Sequence, residues 1–574
     1  MTQAQWMVHT KKADFEAIGR EFNISPVTAR IIRNRDITEK DDIKRFLYGS
    51  AADMYDPFMM KDMEKAVMML DEAIAEGKHI RIVGDYDMDG VCATVILYKA
   101  FKSMGAEVSY DIPDRETDGY GINKRIIDDA GADGVDLIIT CDNGIAAFEE
   151  AEYAKLMGLD MIITDHHEVP FTEEGGIRKY HLPPADAVVD TKQKGCDYPF
   201  REPCGAGIAF KLACAMDTDP DTLNELAKFA AIATIGDVVP LKDENRIIVK
   251  AGLELINECE AKSDTDSRGF NKGLYALLET TGLIGKRINS YHIGFVVGPC
   301  VNAAGRLANA KMAVELFLEN DMQKVMNTAK ELCELNSSRK GMTEKMTRMA
   351  KEEVTKSKDD VIVVYLPECH EAVAGIVAGR LKEFFYRPVF VLTDAGDGSV
   401  KGSGRSIDGY VMNEEITACA DLLTKFGGHA KAAGLSMPKE NIYEFRKRLN
   451  ENASFTQDQL KEKIWIDVPM YADYPDMELI KEFEILAPFG EANPKPVFAD
   501  KELIIEDLRV LGANKNVLRL KLKTPRGKTV EAIRFLRDET EVPSIGQKVS
   551  ILYYPEINEF NGIKSIQLLV EDMI

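Results

Sequence analysis

A chain of 574 residues with 45% hydrophobic side chains can bury several cores, which excludes a disordered or fibrous protein. A formal net charge of −23 excludes a general polyanion binder held by bulk electrostatics, but leaves room for a local basic patch and for acidic clusters that hold cations. The ten cysteines include no C-x-x-C pair, which argues against a zinc ribbon or a thioredoxin-like motif. No apolar run reaches membrane-spanning length and MTQAQWMVHTKK lacks a signal segment, so a cytoplasmic protein is expected.

Residues 1–60 read as a helical lead-in. From 61 to 310, Val- and Ile-rich runs alternate with amphipathic stretches. HIRIV (79–83), DLIIT (136–140), DMIIT (160–164) and ADAVV (185–189) each predict a buried strand, with room for crossover helices between them. That pattern is βαβ logic and a mostly parallel sheet. Residues 311–357 hold no proline and one glycine, which predicts a long connecting helix with a break near Gly341. A second α/β block spans 358–455, with strands at VIVVYL (361–366) and RPVFVLT (387–393). Strand-like alternation dominates 456–574, as in KIWIDVPM, VLRLKLK and VSILYY, and predicts a small β-barrel or sandwich.

The acids of the first α/β block fall at the ends of apolar runs. HIRIV leads into GDYDMDG, with Asp85, Asp87 and Asp89. DLIIT leads into CDNG, with Asp142. DMIIT leads into Asp165, His166 and His167, and IATIGDVVP adds Asp237. Parallel strands share one C-terminal edge, and ligands bind in the crevice there. Carboxylates crowded into one crevice raise each other's pKa, a cost that a divalent cation removes. Oxygen and imidazole donors without thiolate suit Mn²⁺ or Mg²⁺. One carboxylate shared by two ions would set them about 3.5–4 Å apart, the spacing of two-metal phosphoryl chemistry.

A blander reading exists for each acid alone, since an aspartate after a strand often caps the next helix. DYDMDG also opens like a calcium loop, but Ile96 stands where that loop needs glutamate, and a strand precedes it. The adjacent histidines fit neither a cap nor a core.

These four ordered segments resemble the DHH phosphoesterase family, named for the Asp-His-His that is here Asp165-His166-His167. The resemblance implies two Mn²⁺ or Mg²⁺ ions held by Asp85, Asp87, Asp142, His166 and Asp237, with Asp142 as the bridge. It also implies catalytic roles for His167, Asp89 and Arg306. Many members carry histidine four residues before the first aspartate; here Arg81 stands in that place and leaves the first ion's ligand set open.

The likeness reaches over nearly the whole chain to the exonuclease branch of the family. IPDRETDGYG (112–121), GPCVNAAGR (298–306), HEAVAGIVAGRL, KGSGRS (401–406), GGHAKAAGL (427–435) and FGEANPKPVF (489–498) carry it. It implies a DHH domain over 61–310, a DHHA1 domain over 358–455 and an OB-fold over 456–574. Arg115, Arg306 and Arg405 offer planar donors for phosphate oxygens. Glycines beside Ser403, and Gly428 beside His429, let backbone N–H groups approach a ligand. Together these predict a phosphate track.

The window 509–537 holds nine basic residues and one acid, Glu531. In VLRLKLK the alternation places Arg519, Lys521 and Lys523 on one face and Leu518, Leu520 and Leu522 on the other. An OB-fold would present such a face to single-stranded nucleic acid. Phe535, Tyr553, Tyr554 and Phe560 are candidates for base stacking.

The resemblance implies a 5′→3′ exonuclease that degrades single-stranded DNA to 5′-mononucleotides in DNA repair and recombination. It implies a monomer without a membrane partner, working with single-stranded-DNA-binding protein and a RecQ-type helicase. Two other readings stay open. One is a DHH–DHHA1 phosphodiesterase acting on short oligoribonucleotides or cyclic dinucleotides, against which the basic C-terminal block argues. The other is a non-catalytic DNA-binding scaffold, against which the intact acids argue.

Overall fold

The computed structural model describes residues 4–574 apart from 116, 266, 268, 357, 358, 513, 514, 537–541 and 561, with backbone alone at 174 and 560. Arg537 and the side chain of Phe560 therefore lie outside the described residues. The chain forms two compact units. The smaller runs up to Trp6 and takes in Pro299–Ala313 and Met326–Ile464; the larger takes in Met7–Gly298, Val314–Val325 and Trp465–Ile574.

In the larger unit five parallel strands lie in the order Glu107–Asp111, His79–Val83, Leu137–Cys141, Asp160–Thr164, Ala187–Val189. Leu137–Cys141 is buried throughout and its neighbours His79–Val83 and Asp160–Thr164 from their second residue on, as a parallel sheet covered on both faces requires. Glu107–Asp111 escapes sequence reading because EVSYD holds one aliphatic residue, at an edge where one face suffices. The chain starts in mid-sheet, steps to one side and then reverses. The crevice therefore opens between His79–Val83 and Leu137–Cys141, the topological switch point. The helix Met88–Ser103 is buried nearly all round, because helices Gly205–Ala215 and Pro220–Gly236 pack against it.

The helical stretch after 310 differs from expectation. It forms Lys311–Leu318 and Met322–Val354, and the second, 33 residues long, passes through Gly341 unbroken. A lone glycine costs a helix interior only about 1 kcal/mol. The interruption sits at 319–321, where Asp321 accepts the N–H groups of Gln323 and Lys324 and so starts the second helix.

The second α/β block belongs to the smaller unit. Ile362–Tyr365 and Val389–Asp394 are parallel about the helix Glu371–Phe385. Val400–Arg405, Ala432–Met437 and Lys425–Gly428 then add antiparallel.

In the larger unit the strands Phe498–Leu511, Val517–Lys523, Thr529–Phe535, Ile563–Met573 and Lys548–Phe560 pair in that order, and the last pairs back with the first. That closure makes a five-stranded barrel of OB type. Leu518, Leu520 and Leu522 are fully buried inside it, as the alternation predicts. Tyr553 is fully buried and Tyr554 nearly so, so neither offers a base-stacking face; Phe535 is exposed.

The N-terminal lead-in shares the barrel's core: Ile31, Ile32, Phe46 and Leu47 join one cluster with Phe483, Phe498 and Tyr554. Arg35 and Asp467 add a buried bidentate ion pair at 2.7 and 3.1 Å.

Arg246, on the helix Asp243–Glu258, ties these parts together. Its guanidinium lies 3.9 Å over the Phe46 ring and donates to the carbonyls of Phe46, Ile485, Leu486, Ala487 and Pro488. Methionine would keep the packing and orphan those carbonyls. Arg246→Met is therefore expected to lose about 2–4 kcal/mol, read as a lower thermal unfolding temperature; unchanged melting would show that the carbonyls find other donors.

Candidate metal centre and phosphate-binding groups

The chain leaves the sheet edge at Val83 and turns into the helix Met88–Ser103, and the first acids sit on that turn. Asp87 caps the helix: its Oδ1 accepts from Asp89 N–H at 2.9 Å and Gly90 N–H at 3.2 Å. Capping occupies Oδ1 and leaves Oδ2 for a cation, so both readings of this residue hold together. A Cβ at Gly90 would stand 2.5 Å from the Asp85 backbone, so glycine lets the turn fold back on itself. Asp89 accepts from Gly205 N–H at 2.6 Å and Ala206 N–H at 2.8 Å. Both of its oxygens thus anchor the N-terminus of Gly205–Ala215, where a carboxylate is favourable.

Asp142 follows Leu137–Cys141 in a left-handed conformation, φ 63°, and a Cβ at Gly205 would stand 2.5 Å from its Cβ. His166 follows Asp160–Thr164. Its Nε2 lies 3.1 Å from Asp142 Oδ1, 3.7 Å from Asp89 Oδ2 and 3.8 Å from Asp237 Oδ2. Asp237 comes from the end of helix Pro220–Gly236. The next residue, Val238, holds φ 60°, strained for a β-branched side chain.

Asp165 serves the turn itself. Its Oδ1 accepts from His166 N–H at 2.7 Å and pairs with His167 Nδ1 at 2.7 Å, while Oδ2 accepts from Ile145 N–H at 2.9 Å.

Burial pushes Asp85 and Asp142 well above the usual carboxylate range, and neighbouring aspartates add to the shift. Burial, then repulsion from Asp89 and Asp87, pushes Asp237 up to about 8. Burial lowers His166 and favours its neutral form, the form that ligates metal. Burial opposes charge on His167 too, but the Asp165 hydrogen bond and charge outweigh it and raise this imidazole to about 9.

The residues fit divalent ions. The buried Oδ1 atoms of Asp85 and Asp142 accept no hydrogen bond among the described residues. Among the described residues, ligand atoms converge within 4.8 Å in three overlapping groups: Asp85, Asp87 and Asp142; Asp142, His166 and His167; Asp89, His166 and Asp237. Asp142 and His166 each belong to two of these, and of the two only the carboxylate has a second oxygen with which to bridge. The all-oxygen-and-imidazole donor set suits Mn²⁺ or Mg²⁺.

Arg115 lies beside this cluster, 5.2 Å over the Tyr86 ring. Tyr86 meets Tyr120 edge-on and Tyr120 meets His167 likewise. The Tyr120 hydroxyl donates to the Asp142 carbonyl at 2.8 Å. Sequence reasoning passed over Tyr86 and Tyr120, although DYDMDG and DGYG contain them. The guanidinium of Arg81 is committed to Ser109 and Asp133 at 2.7 and 2.8 Å, so it bears on the sheet edge.

In the smaller unit three expected phosphate binders gather at the start of one helix. Arg306 donates to the Ala372 carbonyl at 2.9 Å. A Cβ at Gly375 would stand 2.9 Å from Arg405 Nη2 and 3.5 Å from Ser403 Oγ. Arg306 thus meets the first turn of Glu371–Phe385, and Ser403 and Arg405 border the turn that follows it. Gly428 lies on the same sheet as these two, opposite Ala433, which in turn faces Gly404 beside Arg405, and His429 N–H donates to the Ala432 carbonyl at 2.8 Å.

The barrel's basic face is less basic than its sequence window. Arg519 pairs with Glu531 at 3.2 Å, Lys521 with Glu531 at 3.7 Å and Lys523 with Glu506 at 3.2 Å. Arg526 lies 4.0 Å from Asp473 and Arg534 3.2 Å from Asp572. Glu506, Asp473 and Asp572 fall outside the window and are brought in by other segments, so the linear count overstates the field.

Three family descriptions match the chain: the DHH family N-terminal domain over 79–234, the DHHA1 domain over 358–454 and the RecJ OB domain over 466–572. The chain is 37% identical to the single-stranded-DNA-specific exonuclease RecJ of Bacillus subtilis (strain 168), across 100% of this chain and 71% of that one. It is 32% identical to the protein of the same description from Escherichia coli (strain K12), across 96% of each. The crystal structure of RecJ in complex with Mn²⁺ from Thermus thermophilus superposes with a TM-score of 0.80 at 28% identity, covering 99% of this chain and 79% of that one.

Because Asp237 holds a proton up to about pH 8 that a cation must displace, and burial shifts Asp85 and Asp142 in the same direction, Mn²⁺ affinity is expected to weaken as pH falls from about 8.5 to 6.5, roughly tenfold per unit for each proton displaced. Calorimetry in buffers of differing ionisation enthalpy would count those protons, and pH-independent binding would refute the crowding. Asp142→Asn removes a buried carboxylate that must either stay charged among its neighbours or take up a proton. It should melt about 2–4 °C above the parent without metal and lose the gain that Mn²⁺ gives the parent.

Proposed function

The chain belongs to the RecJ family, and from that premise we propose that it is a 5′→3′ exonuclease that degrades single-stranded DNA to 5′-mononucleotides in DNA repair and recombination. The observation that carries this reading is the crowded cluster of Asp85, Asp87, Asp142, His166 and Asp237 at the switch point of the sheet. Two Mn²⁺ or Mg²⁺ ions held there would polarise the scissile phosphate and lower the pKa of the attacking water.

The chain's own groups do the rest. Asp165 holds His167 through Nδ1, which leaves the Nε2–H of a protonated ring to donate to a phosphate oxygen. Tyr120 braces the Asp142 backbone and stands against His167. Arg115 offers a bidentate donor beside the same cluster. Arg306, Ser403 and Arg405, around one helix start, would take phosphates of the strand. The barrel would hold the strand with exposed Phe535 and the face of Arg519, Lys521 and Lys523, whose ion pairs must open to bind. That closed barrel favours a polymeric substrate over a dinucleotide.

No helix among the described residues is long and apolar enough to cross a membrane. The proposal extends to a cytoplasmic location and to single-stranded-DNA-binding protein and a RecQ-type helicase as partners.

A product time course on 5′- and 3′-labelled DNA and RNA tests the reading. Mononucleotides released first from the 5′ end of DNA are expected; release from the 3′ end, or preference for RNA, would refute it. Asp142→Ala should lower hydrolysis by more than about 100-fold while leaving binding of single-stranded DNA within a few-fold; retained activity would unseat the metal assignment.

A further inference from the structure

We propose that Cys300 and Cys333 form a reversible intramolecular disulfide that tethers the helix carrying Arg306 and slows hydrolysis. The two belong to the smaller unit, Cys300 on the helix Gly298–Leu307 and Cys333 on Met322–Val354. Their sulfurs lie 3.6 Å apart, and among the described residues no other pair of the ten cysteines makes a sulfur–sulfur hydrogen bond. A disulfide needs about 2.05 Å between sulfurs, so an approach of about 1.5 Å closes the bond.

The surroundings favour reaction at Cys300. The Cys333 thiol donates to its sulfur, the Asn336 amide donates at 3.4 Å, and Lys340 and Arg339 add positive charge nearby. Those donors outweigh burial and lower the Cys300 thiol below its ordinary value, which raises its thiolate fraction. Cys333 is partly exposed and stands as the resolving thiol.

The oxidant is a peroxide. The Cys300 thiolate attacks one peroxide oxygen, the O–O bond breaks, and hydroxide leaves a sulfenic acid. The Cys333 sulfur then attacks the Cys300 sulfur and expels that hydroxyl, which takes up the thiol proton and departs as water. Overall two thiols and one hydrogen peroxide give one disulfide and two waters. A dithiol reductant reverses the bond by exchange. The tie would draw the helix of Asn302 and Arg306 towards Met322–Val354 and disturb Arg306 at the Ala372 carbonyl.

The test uses the full chain, treated with hydrogen peroxide in chelator, cleared of peroxide, alkylated, and digested without reduction for mass spectrometry. A peptide pair joining Cys300 to Cys333 and lost with dithiothreitol is expected. Cys333→Ser should leave a dimedone-reactive sulfenic acid at Cys300. Both thiols found alkylated after peroxide, or Cys300 joined to a different cysteine, would overturn the proposal. In a parallel assay with Mn²⁺ and single-stranded DNA, the oxidised parent should lose at least five-fold in rate and regain it with dithiothreitol, while Cys333→Ser keeps its rate. A cross-link without rate loss would overturn the tether. The rate arm rests on the nuclease reading; a protein inactive in both redox states would count against that reading, and the cross-link arm would still decide the disulfide.

Discussion

Mutual repulsion among buried carboxylates is the constraint on which the rest of this structure depends. Asp85 and Asp142 are almost wholly withdrawn from water, and each has an oxygen that accepts no hydrogen bond among the described residues. Left to themselves such groups take up protons or push apart. The fold instead presses them together: Gly90 admits the Asp85 turn, and Gly205 brings a helix start against Asp142. Stability is given up locally so that a cation can recover it.

The acids divide their labour. Asp87 caps a helix with one oxygen, which leaves the other for the cluster. Asp89 holds the helix that crowds Asp142, so it positions the centre as much as it lines it. Asp165 closes the turn that aims two imidazoles differently: His166 towards the acids, and His167 towards Tyr120. A shared carboxylate chemistry is thereby sorted by backbone geometry into ligand, anchor and orienter.

Legibility in the sequence followed burial and locality. HIRIV and DMIIT are strands at the residues expected, because a covered parallel sheet demands continuous apolar runs. EVSYD was hidden, because an edge strand needs only half of that signal. The break near Gly341 did not occur, since one glycine costs too little to end a helix of many turns. The strong basic window at 509–537 weakened once Glu506, Asp473 and Asp572 arrived from elsewhere. The lead-in helices joined the barrel's core, a partnership between chain ends that no local pattern announces.

The sequence by itself determined the donors: oxygen and imidazole in four ordered segments, each placed where an apolar run ends. It also determined the inward and outward faces of VLRLKLK, since side-chain alternation is a property of the single strand. Tertiary structure alone decided which acids meet, that Tyr86 and Tyr120 stand among them, and that Arg306, Ser403 and Arg405 gather at the start of one helix. The reason is physical: residue type and period are written locally, whereas distance, burial and the charge of a neighbour exist only after the chain has folded.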